Sequence, residues 1–181
     1  MPFEIERHAK QALDASTSRR RFLQLGFGAS ASLAMPNAFA NLLTEPERKL
    51  SLLNLHTGES LKATYWAEGQ YQTSELDAIN RVLRDHRTGD AYDMDNNLID
   101  LLNILHHKVN GKQPFHVISG YRSPKSNAYL SNKSSGVAKK SFHMQGKAID
   151  IRLPGRNLSA LRSAALNLQT GGVGYYPKSD F

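Results

Sequence analysis

The sequence predicts a single α+β domain: a small antiparallel sheet flanked by helices, behind an N-terminal export leader. Three observations predict it. Short runs with strand alternation and longer runs with helical periodicity are intermixed along the chain without βαβ regularity. The helical runs open on capping residues and close on glycine. The first forty residues share neither pattern.

In that N-terminal stretch, Ser18-Arg19-Arg20-Arg21-Phe22-Leu23-Gln24 places paired arginines ahead of an apolar run from Leu25 to Met35. The run is rich in Gly, Ala and Ser, too short and too mild to anchor in a bilayer. Pro36 breaks it, and Ala38-Phe39-Ala40 is a small-x-small cleavage site. Residues 1–40 are therefore expected to be a twin-arginine signal peptide. The Tat export machinery is the partner it implies, and the periplasm the destination. That route carries folded proteins, which suits a domain loaded with metal before export.

Removing the leader leaves 141 residues, enough for one proper core. Leu50–Leu55 and Ser60–Tyr65 read as two strands joined by His56-Thr57-Gly58-Glu59. Ser74 is expected to cap a helix running to about Arg87, with Leu76, Ile79, Val82 and Leu83 on one face. Asp95 caps a second, whose stripe is Leu98, Leu101, Leu102, Leu105 and Val109 and whose end is Gly111. Phe115–Ser119 is a short apolar strand. Ser123-Pro124 starts a polar helix to about Asn132, and a Ser/Lys-rich loop continues to Lys140. Ala148–Leu153 is a strand, Asn157 caps a helix to about Gln169, and Val173–Tyr176 is a last strand. No stable membrane span is expected.

Composition narrows the chemistry. The formal charge is +7, or +5 without the leader, a modest excess. No basic run is interleaved with stacking aromatics, so a nucleic-acid partner is not expected. With no cysteine, any transition-metal site must use histidine and carboxylate. The informative segment is Ser141-Phe142-His143-Met144-Gln145-Gly146-Lys147-Ala148-Ile149-Asp150. Helical metal pairs need ligands at i and i+4 to share a face. His143 and Asp150 stand seven apart with a glycine between, so the segment reads as loop, turn and strand. Gly146 permits positive φ. Ala148 and Asp150 then share a strand face, and the small Ala148 leaves space beside the carboxylate. A loop imidazole and a strand carboxylate can thus meet at one cation. Ser141 orients the loop by hydrogen bonding; no triad spacing supports a serine hydrolase. His56, His106, His107 and His116 read as structural or exposed.

His-x-x-Gly-x-Ala-x-Asp, with serine two before the histidine, resembles the zinc motif of the LAS peptidases, the group of D-Ala-D-Ala carboxypeptidases, phage endolysin endopeptidases and murein endopeptidases. The resemblance implies Zn2+ as cofactor, with His143 and Asp150 as ligands. Ser119-Gly120-Tyr121-Arg122-Ser123-Pro124 is similar to the segment that carries the family's arginine. It implies a role for Arg122 on a substrate carboxylate or oxyanion. The nearest form is the murein endopeptidase K group, through Leu53–Glu59, Gly136–Ser141 and Gly171–Pro177. That resemblance implies hydrolysis of cross-link peptide bonds in peptidoglycan, between diaminopimelate residues first and D-Ala-containing cross-links second. The family's third zinc ligand is a histidine on the strand after Tyr-Tyr-Pro, two residues beyond a phenylalanine. The sequence ends at that phenylalanine, Phe181, so a C-terminal truncation with an incomplete last strand and a weakened or inactive site is expected. In related endolysins the base lies three residues before that ligand, which here is Asp180. The alternatives are a D-Ala carboxypeptidase and a non-catalytic peptidoglycan-binding domain.

Overall fold

The computed structural model describes residues 45–134 and 136–181. The leader expected at residues 1–40 lies outside them. β1 (Glu47–Asn54) and β2 (Ser60–Ala67) form the expected hairpin, and β3 (Gln70–Tyr71), β4 (Phe115–Ser119) and β5 (Asp150–Arg152) complete a five-stranded sheet in the order β3-β2-β1-β4-β5. β1 alternates exposed and buried residues along its length, the signature of a strand with one face in the core. Arg48, Leu50, Leu52 and Asn54 point inward.

The sheet is mixed where an antiparallel one was expected. β1 and β4 run parallel, pairing Leu52 with Phe115 and Asn54 with Val117. A parallel pair needs a crossover, and here it holds β2, β3 and two helices. β3 went unread in the sequence. It comes after a two-residue turn in which Glu68 and Gly69 both take positive φ, 55° and 77°, the geometry a tight hairpin demands.

The helices are α1 (Thr73–Val82), α2 (Asn96–Lys108), α3 (Pro124–Lys133) and α4 (Leu158–Leu166). The side chains of Asp95, Ser123 and Asn157 cap α2, α3 and α4, accepting from Asn97, Ser126 and Ser159 N–H groups. α1 departs from expectation at both ends. Gln72 stands at its N-cap without a side-chain cap, and Ser74 lies inside the helix. It stops near Leu83 because the chain is diverted there: the Leu83 carbonyl accepts from Tyr121 N–H at 2.7 Å. The strand expected over Val173–Tyr176 does not form. The last residues turn back on themselves, Tyr176 N–H donating to the Phe181 carbonyl at 2.7 Å. Among the described residues, no helix is long and apolar enough to cross a membrane.

One polar cluster is built into the core. Arg48 and Asp100, 4% and 7% exposed, form a salt bridge with both carboxylate oxygens 3.1 Å from Nη1. Tyr65 and Tyr71 donate their hydroxyls to the same carboxylate at 2.9 and 2.8 Å. Burial, then the Asp100 hydrogen bond, pushes Tyr71 up to about 12. The Arg48 guanidinium also lies 4.2 Å from the Trp66 ring centre. A register shift between Arg48 and Lys49 leaves Tyr65 as the extra residue on β2. That bulge lets Tyr65 and Arg48 converge.

Candidate metal centre

Ser141 caps a single 3-10 turn, Phe142–Gln145, its Oγ accepting from the His143 backbone N–H at 3.3 Å. Gly146 ends the turn at φ 66°, ψ 17°. A side chain there would place Cβ 2.4 Å from the Asp93 carbonyl oxygen. Gly146 is thus required for its backbone conformation and for its close approach to the chain entering α2. Its own carbonyl accepts from Asp95 N–H at 3.0 Å, tying the loop to the α2 cap. The next strand begins at Asp150, two residues later than the sequence suggested.

Asp150 is aimed by an irregularity in β4. Val117 pairs with Ile151, yet Ser119 and not Ile118 stands opposite Asp150. Ile118 is the extra residue of a bulge, and bulges of this kind re-aim side chains at sites.

The two motif side chains meet. His143, 9% exposed, has Nδ1 2.8 Å from the Gly120 carbonyl oxygen. A carbonyl only accepts, so Nδ1 carries the proton and Nε2 is left facing Asp150. His143 Nε2 and Asp150 Oδ2 are 3.4 Å apart. An imidazole nitrogen and a carboxylate oxygen held that close can share one cation. The separation exceeds the usual ~2.7–3.2 Å of an N–H···O hydrogen bond. It matches the ~3.3 Å between neighbouring ligands of a tetrahedral zinc with bonds of about 2.0–2.1 Å. The carbonyl behind the imidazole is the outer support that metal-bound histidines use. Both donors therefore fit zinc.

Arg122 joins them. Its Nη2 lies 3.7 Å from the same Asp150 Oδ2 and donates to Ser119 Oγ at 3.3 Å. Its Nε is buried without a hydrogen-bond partner among the described residues. Burial pulls its pKa below the ordinary arginine value, with Asp150 opposing and Arg87 adding to the shift. The arginine and histidine loops are stitched reciprocally: Arg122 N–H donates to the His143 carbonyl at 3.2 Å, and His143 Nδ1–H to Gly120.

Asp180 is not brought to this site. Its carboxylate accepts from Arg152 Nη1 at 2.7 Å, and it borders a separate hollow with His116 and Arg156. The turn that folds Phe181 onto Tyr176 directs it to Arg152. His116 likewise pairs across the sheet with Arg152. Among the described residues, no third His, Asp or Glu joins His143 and Asp150. Of the histidines read as structural or exposed, His56 is exposed and stacks on His86 with ring centres 3.8 Å apart, His106 reaches the Gln113 carbonyl, and His107 is exposed.

Sequence reasoning overlooked Asp85. It is 2% exposed and accepts from Ser123 N–H at 2.8 Å and Arg87 N–H at 2.9 Å. Burial alone would raise its pKa. The Ser126 hydroxyl and those two N–H groups outweigh this and hold it at about 2. The one sequence signal was turn chemistry, an aspartate four residues ahead of Gly89.

The motif segment and the arginine segment lie within a region matched by a family model. The Peptidase_M15_2 model, described as peptidoglycan L,D-endopeptidase MepK, matches residues 43–181. The chain is 44% identical over 165 residues to the peptidoglycan L,D-endopeptidase MepK of Escherichia coli K12, covering 91% of each chain. It is 37% identical over 166 residues to the probable peptidoglycan L,D-endopeptidase MepK of Haemophilus influenzae, covering 91% of this chain and 89% of that one. No solved structure matches it. With a model spanning the whole described domain and relatives this similar over nine-tenths of their length, the chain belongs to the peptidase family described as peptidoglycan L,D-endopeptidase MepK.

Proposed function

We propose that this chain is a zinc-dependent endopeptidase that hydrolyses L,D cross-link peptide bonds in peptidoglycan. One observation carries the zinc reading: Nδ1 of His143 is committed to a carbonyl while Nε2 stands 3.4 Å from Asp150. The names of the relatives support the bond type. His143 and Asp150 would hold the ion, as two of the three protein ligands that a catalytic zinc takes. When bound, zinc polarises the scissile carbonyl and lowers the pKa of a coordinated water toward neutrality. Arg122 supplies a fixed cation beside it, able to grip a diaminopimelate carboxylate or the oxyanion that forms on attack. Ser119 and Asp150 set the guanidinium's orientation.

Arg122→Ala tests that division of labour. Cleavage of cross-linked muropeptides in zinc-supplemented sacculi digests should slow by about 100-fold, the scale of one lost transition-state contact. Zinc content should not change, since Arg122 donates nothing to the ion. A rate within ~3-fold of the parent would remove Arg122 from the chemistry.

We also propose export by the twin-arginine route to the periplasm, where the substrate lies. The support is the order of paired arginines, apolar run and Ala38-Phe39-Ala40. Arg19→Lys with Arg20→Lys should leave precursor in the cytoplasm on fractionation. Normal periplasmic delivery of the double variant would contradict the proposal.

A further inference from the structure

The backbone that carries Arg122 is held at every amide. Tyr121 N–H donates to the Leu83 carbonyl at 2.7 Å, Arg122 N–H to the His143 carbonyl at 3.2 Å, and Ser123 N–H to Asp85 Oδ2 at 2.8 Å. Gly120 sits so close to the Leu83 backbone that an added Cβ would lie 2.4 Å from its carbonyl oxygen. Three of these four contacts run to residues 83–85, and a single side chain makes one of them.

That side chain is buried and its own position is over-determined. The Asp85 backbone N–H donates to the Asp90 carbonyl at 2.9 Å, and its carbonyl accepts from Gly89 N–H at 2.7 Å. Oδ1 accepts from Arg87 N–H, leaving Oδ2 for Ser123. Its charge also faces the N-terminus of α3, where a carboxylate is favoured. Arg122, one residue before the Asp85-held amide, has a long side chain whose Nε has no anchor of its own among the described residues. Ser119 and Asp150 steady only its Nη2 end, so its aim depends also on where its backbone is held.

We infer that Asp85 is a positioning residue for the reaction, acting through the Ser123 amide to hold Arg122 beside the His143–Asp150 pair. This role rests on the proposed peptidase activity for its effect on rate, but not for its effect on the arginine.

The test has two arms on the full chain. Asp85→Asn keeps the volume but sets an NH2 group against one of two N–H donors. Asp85→Ser, smaller and able to accept, is the second variant should the amide not fold. In the first arm, the Arg122 Nε–H resonance is assigned by its loss in Arg122→Lys. In the folded Asp85 variant it should shift or broaden, and the Arg122 and Ser123 amides should exchange faster, while β1–β2 amides keep their protection. In the second arm, Asp85→Asn should lower kcat on cross-linked muropeptides by on the order of 10- to 100-fold with little change in KM. In an Arg122→Ala background it should lower kcat no further than ~3-fold, because the group it positions is gone. An unchanged Arg122 signal in a folded variant, or an equal rate loss in both backgrounds, overturns the inference. Failure of the peptidase reading would show separately, as a parent protein without cleavage, and the first arm would still decide the role of Asp85.

Discussion

His143→Ala and Asp150→Ala should each abolish cross-link cleavage. Each variant removes one of two donors held 3.4 Å apart, so neither leaves a pair able to retain zinc. Loss of a residue that merely supports a ligand costs ~10–100-fold in affinity or activity. Loss of a ligand should exceed that, leaving no cleavage above background after overnight digestion with zinc present. The two variants differ in what they disturb. His143→Ala also frees the Gly120 carbonyl, whereas Asp150→Ala removes the carboxylate beside the Arg122 guanidinium but leaves the imidazole seated. Both should lose zinc in metal analysis after dialysis. A variant of either kind that digests sacculi at the parent rate would show that the pair is not the reaction centre.

The largest expected effect on stability lies elsewhere, at Asp100. Asp100→Ala removes the carboxylate shared by Arg48, Tyr65 and Tyr71 in the core. Breaking a buried ion pair by deleting one partner costs about 3–5 kcal/mol, a large share of the stability of a domain this size. Trp66, the one tryptophan in the chain, lies against Arg48 and edge-on to Tyr71. Its fluorescence reports the cluster directly. Urea unfolding followed at Trp66 should show a loss in that range with an unchanged slope. A shift below ~1 kcal/mol would mean that the cluster relaxes around the missing carboxylate.

These residues mark the boundary of what could be read from the chain. β4 was legible because an apolar run stands between Pro114 and Gly120, and α2, α3 and α4 because Asp95, Ser123 and Asn157 announce their caps. The approach of the motif histidine and aspartate was legible because both lie in one short segment whose glycine permits the turn between them. Arg48, Asp85 and Asp100 were not. A charged residue reads as solvent-facing, and Arg48 and Asp100 are buried by a partner 52 residues away. The same holds for the parallel pairing of β1 with β4 and for the bulge at Ile118, which depend on strands far apart in sequence. The placement of Asp180 was not legible for a related reason. Its place in the motif suggested a base, but the turn at Tyr176–Phe181 delivers it to Arg152.

The central proposal is cleavage of a specific bond at a metal that His143 and Asp150 help to hold. The most direct measurement supplies one purified cross-linked dimer joined between two diaminopimelate residues, incubates it with zinc-loaded protein, and identifies products by mass spectrometry. Scission of that L,D bond alone, abolished by chelator and restored by zinc, is the predicted result. An intact dimer retained on the protein in the presence of zinc, with binding indifferent to chelator, would contradict the account and make the domain a wall-binding module.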